Sequence, residues 1–272
     1  MRQDSGSEPT RGGGESPHPQ RIPPPEAILS PSFRGSELRP LPSYELKFLM
    51  SEEQARAIEP WLNDRFFRDP HGEPSLEGAY QTVSLYTDTP SWDVYQRAPG
   101  YRRRKFRIRR YGEHPQVFLE RKSKTGDRVW KKRSAIDEAT LPLLAAPASP
   151  AEWPGRWFHA QVLQRGLIPA CRLMYRRHAW IGVSADGAPI RVTMDRQIRG
   201  QPCGDWSLLT VTEGRELFPG QVIFELKFRL ALPAFLKQAL IDFQLTPTSA
   251  SKYRRCCEIW GIGAPCRGAA SA

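Results

Sequence analysis

The feature that most constrains this chain is an alternation of basic and apolar residues between Tyr101 and Tyr111. Successive side chains of a β-strand point to opposite faces, so one face of this segment would present apolar residues such as Phe106 and Ile108. The opposite face would carry only positive charge, from Arg103, Lys105, Arg107 and Arg109. The alternation therefore predicts a strand with a single row of cations.

Two more predicted strands, at 115–123 and 127–133, follow directly and are also rich in lysine and arginine. The interval from Tyr101 to Arg133 holds 14 basic and 3 acidic residues, whereas the rest of the chain holds 26 of each sign, so this interval accounts for the net charge of +11. Like charges on neighbouring strands destabilise a sheet. We therefore expect an anionic ligand to bind this basic face.

Alternation also predicts strands at 44–48, 79–87, 171–181, 190–196 and 221–230, and helices at 51–61, 156–165 and 232–243. Ser51 is the expected N-cap of the first helix. Closing a sheet of this size on itself would remove its exposed edges. The predicted fold is α+β: a closed antiparallel β-barrel, or tunnel, of about eight strands with peripheral helices.

The two ends of the chain have a different composition from the middle. Residues 1–40 contain eight of the 26 prolines and little apolar periodicity, so we expect a disordered tail there. We expect a folded domain over 41–260 and a second, flexible tail over 261–272.

Several classes of protein do not fit this sequence. No window approaches 18 consecutive apolar residues, and the first 20 residues lack the apolar core of a secretory signal. Five cysteines without a C-x-x-C pair do not indicate a disulfide framework or a thiolate zinc site. We expect a cytoplasmic protein with reduced thiols and no membrane segment.

A carboxylate and an ammonium two residues apart recur on three predicted strands, as Glu45-x-Lys47, Glu120-x-Lys122 and Glu225-x-Lys227. Lysines bind phosphate oxygens, and carboxylates hold hard divalent cations that bridge phosphates. Carboxylates would repel a nucleic-acid backbone, so this mixture favours a polyanion-plus-metal site and no nucleic acid. Further strand faces at 172–178 and 191–195 group Arg172, Arg176 and His178, and Arg191, Thr193 and Asp195.

These segments together resemble the VTC-type polyphosphate polymerase domain of the triphosphate tunnel metalloenzyme superfamily. The similarity covers about residues 42–260 and follows one order of motifs: ELKF (45–48), SLYTDT (84–89), YRRRKFRIRRYG (101–112), FLERKSK (118–124), YRRHAW (175–180), RVTMD (191–195), FELKF (224–228) and SKY (251–253). Ser43 stands where the related CYTH triphosphatases usually begin a Glu-x-Glu-x-Lys motif, so the VTC branch fits better.

The resemblance implies a tunnel lined by cations that binds ATP and inorganic polyphosphate. It implies that Lys252 contacts the transferring phosphoryl group and that Glu225 holds Mn²⁺ or Mg²⁺. Arg107 and Arg176 would act with Lys252 in catalysis, and Tyr86 and Glu120 would line the lumen. The implied substrate-binding residues are Lys47, Arg109, Lys122, Lys131 (or the adjacent Lys132) and Arg191.

The implied activity is transfer of the ATP γ-phosphoryl group onto polyphosphate. Two alternatives stay open: a triphosphatase of the same fold, and a non-catalytic module that binds polyanions. Ser249 stands three residues before Lys252, where the family often has a second lysine. The oligomeric state and a possible membrane partner protein are not defined by the sequence.

Overall fold

The computed structural model describes residues 43–125, 128–229 and 231–263. Within them lie ten β-strands and five α-helices, with 3₁₀ segments at Pro74–Leu76 and Glu138–Ala145. The strands are β1 (Ser43–Ser51), β2 (Phe67–Arg68), β3 (Tyr80–Asp88), β4 (Arg104–Tyr111), β5 (Gln116–Thr125), β6 (Arg128–Asp137), β7 (Ile168–Val183), β8 (Pro189–Pro202), β9 (Arg215–Glu216) and β10 (Gln221–Phe228). The helices are α1 (Glu52–Arg65), α2 (Asp93–Gln96), α3 (Arg156–Arg165), α4 (Ala234–Asp242) and α5 (Lys252–Trp260).

Eight antiparallel strands form a closed ring in the order β7-β3-β4-β5-β6-β1-β10-β8, and β8 pairs again with β7. The two-residue strands β2 and β9 add to the outside edges of β7 and β8. The helices are peripheral to the ring. The predicted α+β class and closed antiparallel sheet are confirmed. The tails predicted at 1–40 and over most of 261–272 lie outside the described residues.

Local sequence explains how the first strand passes into the first helix. The Ser51 side chain accepts a hydrogen bond from the Gln54 backbone, and the Gln54 side chain accepts one from the Ser51 backbone. This capping box confirms Ser51 as the N-cap. Ala55, Ile58 and Leu62 repeat at helical spacing and are buried against the outside of the ring.

Apolar cores lie outside the ring as well as at one end of its interior. On one side, α1 and α4 cover outward-facing residues such as Phe48, Trp180 and Val192. At one end, the inward-facing Tyr86 stacks on Tyr253 of α5 with ring centroids 5.3 Å apart. Further buried residues of α5, β7 and the neighbouring elements complete this end: Cys171, Leu173, Cys256 and Cys257. Helix α5 therefore packs against the interior of the ring at that end.

No helix in the described part of the chain is both long and apolar enough to cross a membrane.

Candidate active site

The interior of the ring, called the lumen from here on, is lined by ionisable side chains on alternate positions of the strands. The register between strands brings Lys47 of β1 opposite Glu225 of β10, and Glu225 opposite Thr193 of β8. Residues that pair directly in an antiparallel sheet share a face. The period-two pattern of these strands therefore places charges from distant parts of the sequence in one interior space.

The first cluster, the carboxylate wall, consists of Glu45 and Lys47 of β1, Glu225 and Lys227 of β10, and Lys122 of β5. The Lys47 Nζ lies 3.1 Å from Glu45 Oε1 and 2.7 Å from Glu225 Oε2. Lys122 Nζ lies 2.6 Å from Glu45 Oε2, and Lys227 Nζ lies 2.7 Å from Glu225 Oε1. Two carboxylates thus share one ammonium, and each also pairs with a second lysine.

Burial opposes the charge on these carboxylates, but the surrounding lysines outweigh it. They lower the pKa of Glu45 to about 2 and hold the pKa of Glu225 well below its usual value. Both carboxylates are therefore ionised at neutral pH, which is the state that can ligate a cation.

The donor set of this wall fits a hard divalent cation that is shared with the substrate. Mg²⁺ binds through one or two carboxylates together with substrate phosphates, and oxygen ligands also suit Mn²⁺. Glu45 and Glu225 provide two such carboxylates within reach of the same Lys47 Nζ. Across the described ranges, no three or more His, Cys, Asp or Glu residues form a group that could hold a metal by themselves.

The second cluster, the arginine wall, surrounds Glu120 of β5, which is completely buried. Arg107 donates to its Oε2 from Nε at 2.7 Å and from Nη2 at 2.6 Å. Lys131 pairs with Oε1, and Arg133 lies 3.4 Å from the same atom. A single carboxylate is shared by three cations, so this wall carries an excess of positive charge.

Arg109 and Lys105 increase this excess, because neither pairs with a carboxylate in the described structure. Arg109 donates to Ser84 Oγ at 2.9 Å and lies over the rings of Tyr111 and Tyr175. Lys105 donates to Ser251 Oγ at 2.8 Å, and burial lowers its pKa to about 8.

Neighbouring tyrosines report the positive field of the arginine wall. Burial opposes ionisation of Tyr86, but Arg107, Arg109 and Lys105 outweigh burial and lower its pKa to about 7. The pKa of Tyr111 falls to about 6 in the same way, with Arg109 as the strongest opposing influence to burial. A field that stabilises phenolate ions also stabilises phosphate oxygens.

The third cluster joins β7, β8 and α5 around the buried Asp195. Arg177 makes a bidentate contact, with Nε 2.6 Å from Oδ1 and Nη2 2.8 Å from Oδ2. Lys252, the first residue of α5, donates to Oδ2 at 2.5 Å and lies 4.7 Å above the Tyr175 ring. Lys252 is therefore a lumen residue held in place by a buried carboxylate.

Three buried hydroxyls on lumen-facing strand positions have no hydrogen-bond partner within the residues described. They are Thr82 Oγ1, Tyr175 OH and Thr193 Oγ1. Buried polar atoms normally find a partner in protein, water or ligand. These hydroxyls can therefore donate to water or to phosphate oxygens inside the ring.

The structure brings most of the predicted site residues together. Lys47, Lys122 and Glu225 lie on the carboxylate wall, and Arg107, Arg109 and Lys131 on the arginine wall. Lys131 rather than Lys132 faces the lumen, because Lys132 Nζ lies 4.7 Å from the centroid of the Trp157 ring on the outer face. Arg191 lies towards one end, where its Nη2 is 2.5 Å from Asp69 Oδ2 and 3.0 Å from Tyr80 OH.

The prediction that Arg176 lies in the lumen is wrong. Its side chain is exposed on the outer face of β7 together with His178, whereas Tyr175 and Arg177 point inwards. The sequence interpretation chose the more polar face of β7 as the lumen face. This choice failed because the ring buries apolar residues on both sides, under α1 outside and against α5 inside.

Sequence reasoning also missed Arg177 and the role of Lys105, and it did not predict helix α5. A signal for α5 was present, since Tyr253, Cys256, Cys257 and Trp260 follow the i, i+3, i+4, i+7 spacing of an amphipathic helix. The dipeptide Arg176-Arg177 places one arginine on each face of the strand, so charge alone could not distinguish them.

Comparison with known families gives a match to the VTC domain over residues 43–260, which is nearly all of the described chain. The chain belongs to the VTC domain family. The closed ring and cationic lumen of this VTC domain are of the triphosphate tunnel type.

Solved structures with a similar arrangement are distant from this VTC domain. The PH1819 protein from Pyrococcus horikoshii OT3 is 14% identical with a TM-score of 0.44, covering 80% of this chain and 99% of its own. HpAC1 from Hippeastrum, described with a dominant triphosphatase activity, is 14% identical with a TM-score of 0.45, covering 81% and 96% respectively. No curated protein matches the sequence.

Proposed function

We propose that this VTC domain is a metal-dependent polyphosphate polymerase that transfers the γ-phosphoryl group of ATP onto a polyphosphate chain in the lumen. In this reaction a terminal phosphate oxygen of the chain forms a bond to the γ-phosphorus. The bond from that phosphorus to the β–γ bridging oxygen breaks, and ADP leaves. Phosphoryl transfer depends on positioning and charge stabilisation, which a lumen rich in fixed cations supplies.

The protonation state of the lumen carboxylates carries this proposal. Glu45, Glu120, Glu225 and Asp195 each pair with at least two cations, and despite burial these cations lower the pKa of every one of the four carboxyls. Carboxylates with such low pKa values are weak general bases for activating water. A phosphate acceptor needs no base because its attacking oxygen is already ionised. The lumen therefore favours a phosphate acceptor over water.

The other titratable groups of the lumen point in the same direction. Lys105 and Tyr86 have lowered pKa values of about 8 and about 7. A polyanion entering the lumen brings negative charge, which raises both values and keeps these groups protonated. Substrate binding thus leaves them as donors to phosphate and not as bases for hydrolysis.

We assign a role to the residues of each cluster in the lumen. Glu225, with Glu45 beside it, would hold Mn²⁺ or Mg²⁺, and such an ion supplies charge neutralisation between phosphate oxygens. Lys252 would contact the transferring phosphoryl group from the end covered by α5. Arg177 takes the role first expected of Arg176. The phosphate-binding residues proposed are Lys47, Lys105, Arg107, Arg109, Lys122, Lys131, Arg177 and Arg191.

The test is incubation of the purified full chain with ATP and Mn²⁺, with ADP and free phosphate measured and the products separated on a gel. We expect ADP together with a ladder of long anionic chains. ADP with stoichiometric free phosphate and no ladder would instead identify a triphosphatase. Bound ATP or polyphosphate without either product would identify a non-catalytic polyanion-binding module.

The matched control is the pair Lys131→Ala and Lys132→Ala, which remove adjacent lysines from the inner and the outer face of the same strand. Reduced product formation in the first and not in the second would support a reaction in the lumen. Equal effects of the two substitutions would contradict that placement.

A further inference from the structure

A separate cavity of about 440 Å³ lies on the outer wall of the ring, where α1 meets β7, β8 and the 3₁₀ segment at Pro74–Leu76. Its volume is within the range of small-molecule sites. Charged and polar side chains dominate its lining, which is unsuitable for an apolar ligand. The lining residues are Glu52, Arg56, Glu59, Arg68, Leu76, Glu77, Arg176, His178, Arg196 and Gln197.

Arg196 and Arg56 together balance the charges of the two α1 carboxylates of this outer pocket. The Arg196 Nε lies 2.9 Å from Glu52 Oε1 and its Nη2 lies 2.5 Å from Glu59 Oε1, while the Arg56 Nε lies 3.8 Å from Glu52 Oε1. Of the acidic lining residues, only Glu77 stays outside this network. The pocket therefore presents more unneutralised guanidinium groups than carboxylates.

Arg68 is held in one orientation although it has no carboxylate partner at salt-bridge distance among the described residues. Its Nε donates to Asn63 Oδ1 at 3.0 Å, and its guanidinium lies 4.4 Å above the ring of the buried Trp180. The Trp180 indole N–H donates to the same Asn63 oxygen at 2.9 Å. Because stacking and one hydrogen bond fix the guanidinium plane, the N–H groups at its far end stay available to a ligand.

Arg176 also has its donors available. No hydrogen bond or ion pair joins its side chain to any described residue, and in the β7–β8 register it stands directly opposite Arg196. Arg196 is already paired with Glu52 and Glu59, so Arg176 is the arginine of this facing pair whose charge no described carboxylate balances.

His178 adds an uncharged donor. Arg196 Nη1 lies 3.1 Å from His178 Nδ1, so Nδ1 accepts and the ring proton resides on Nε2. Burial and the neighbouring Arg196 lower the pKa of His178, which agrees with a neutral ring. The outer pocket therefore combines one oriented guanidinium group, that of Arg68, and the guanidinium of Arg176, which no described side chain binds, with a neutral N–H donor.

We propose that this outer pocket is a second anion site that binds a small phosphate-bearing anion through Arg68, Arg176 and His178. Guanidinium groups match phosphate oxygens in a bidentate geometry, and the excess of arginine over glutamate supplies the charge. One sheet separates this site from the lumen, because Arg176 and His178 flank the inward Arg177, and Arg196 follows the inward Asp195. The two sites can therefore be removed independently.

The test is equilibrium dialysis of the purified full chain with labelled inorganic pyrophosphate, which needs no turnover. We expect two classes of site in the unmodified protein. Arg176→Ala should weaken one class about 10-fold or more and leave the other, while Arg177→Ala should weaken the other class. Arg156→Ala, which removes an exposed arginine elsewhere on the surface, should change neither class.

A single class of site in the unmodified protein, or two unchanged classes in Arg176→Ala, would overturn the proposal. Because Arg176 is exposed and without a side-chain partner, its substitution is not expected to affect folding, and circular dichroism verifies this. Competition by inorganic phosphate and by ADP distinguishes a free inorganic anion from a nucleotide as the natural ligand. Displacement by citrate but by neither phosphate compound would show a carboxylate site and contradict the proposal.

Discussion

The two walls of the lumen balance their charges in different ways. On the carboxylate wall, Glu45 and Glu225 are interleaved with three lysines, so nearly every charge has an opposite neighbour. On the arginine wall, Glu120 alone serves Arg107, Lys131 and Arg133. Both walls arise from the same period-two pattern in β-strands, and only the identity of the charged residues differs.

This difference indicates a division of tasks across one interior. A wall with paired carboxylates can bind a divalent cation in place of a lysine, and the displaced ammonium is then available to phosphate oxygens. A wall with excess guanidinium groups can accept phosphate oxygens directly. ATP lying between them would contact the metal on one side and arginines on the other.

The largest effect is expected for Glu225→Gln on the carboxylate wall. Without the Glu225 carboxylate the metal ion would bind poorly and would no longer stabilise the charge of the transition state. Metal-dependent turnover should therefore fall about 100-fold or more. The same change frees Lys47 and Lys227 from their shared partner. Metal-free binding of tripolyphosphate should therefore be equal or tighter, as measured by calorimetry. Unchanged metal dependence of turnover would contradict the assignment of Glu225.

On the arginine wall the opposite response is expected. Arg107→Ala removes charge-assisted contacts worth about 1.5–3 kcal/mol, which corresponds to about 10- to 100-fold weaker tripolyphosphate binding with or without metal. Calorimetry in the presence and absence of Mn²⁺ measures both conditions. If Arg107→Ala weakened binding only when metal was present, the two walls would not have separate tasks.

The inner and outer lysines of β6 provide a smaller, matched comparison. Lys131 is partly exposed, so its substitution by alanine should weaken tripolyphosphate binding by about 3- to 10-fold. Lys132 contacts the Trp157 ring on the outer face, and its substitution should change affinity less than about 2-fold. Equal losses of tripolyphosphate affinity in the two variants would mean that binding is not confined to the inner face of β6.

The smallest effect concerns pH. Burial lowers the pKa of Lys105 to about 8, so this ammonium deprotonates as pH rises from about 7 to about 9. Tyr86, with a pKa of about 7, becomes negative over part of the same interval. Both deprotonations make the lumen less positive, so tripolyphosphate binding should weaken several-fold as pH rises. Over this pH interval the protein should take up protons when it binds tripolyphosphate. Lys105→Met should reduce this slope, while an unchanged slope would exclude Lys105 as a contributor.

Sequence patterns predicted the ring and most of the lumen because strand alternation is a local property. The basic row of β4 needed no knowledge of distant residues, and the charge repulsion it implied pointed correctly to the interior. The face of β7 could not be assigned in this way. Arg176 and Arg177 are chemically identical, and what distinguishes them is which side α1 and α5 cover, a consequence of tertiary packing.

Helix α5 joins the end of the chain to residues made much earlier. Ser251 accepts from Lys105, Lys252 pairs with Asp195, and Tyr253 donates to Asp88. The strands that α5 contacts all precede it in the sequence, so α5 is the last described element in chain order to join the lumen. The lumen gains the cation proposed for phosphoryl transfer only when the last segment docks. A chain interrupted before residue 251 would therefore lack Lys252 and would also lose the core residues Tyr253, Cys256 and Cys257 that close this end of the ring.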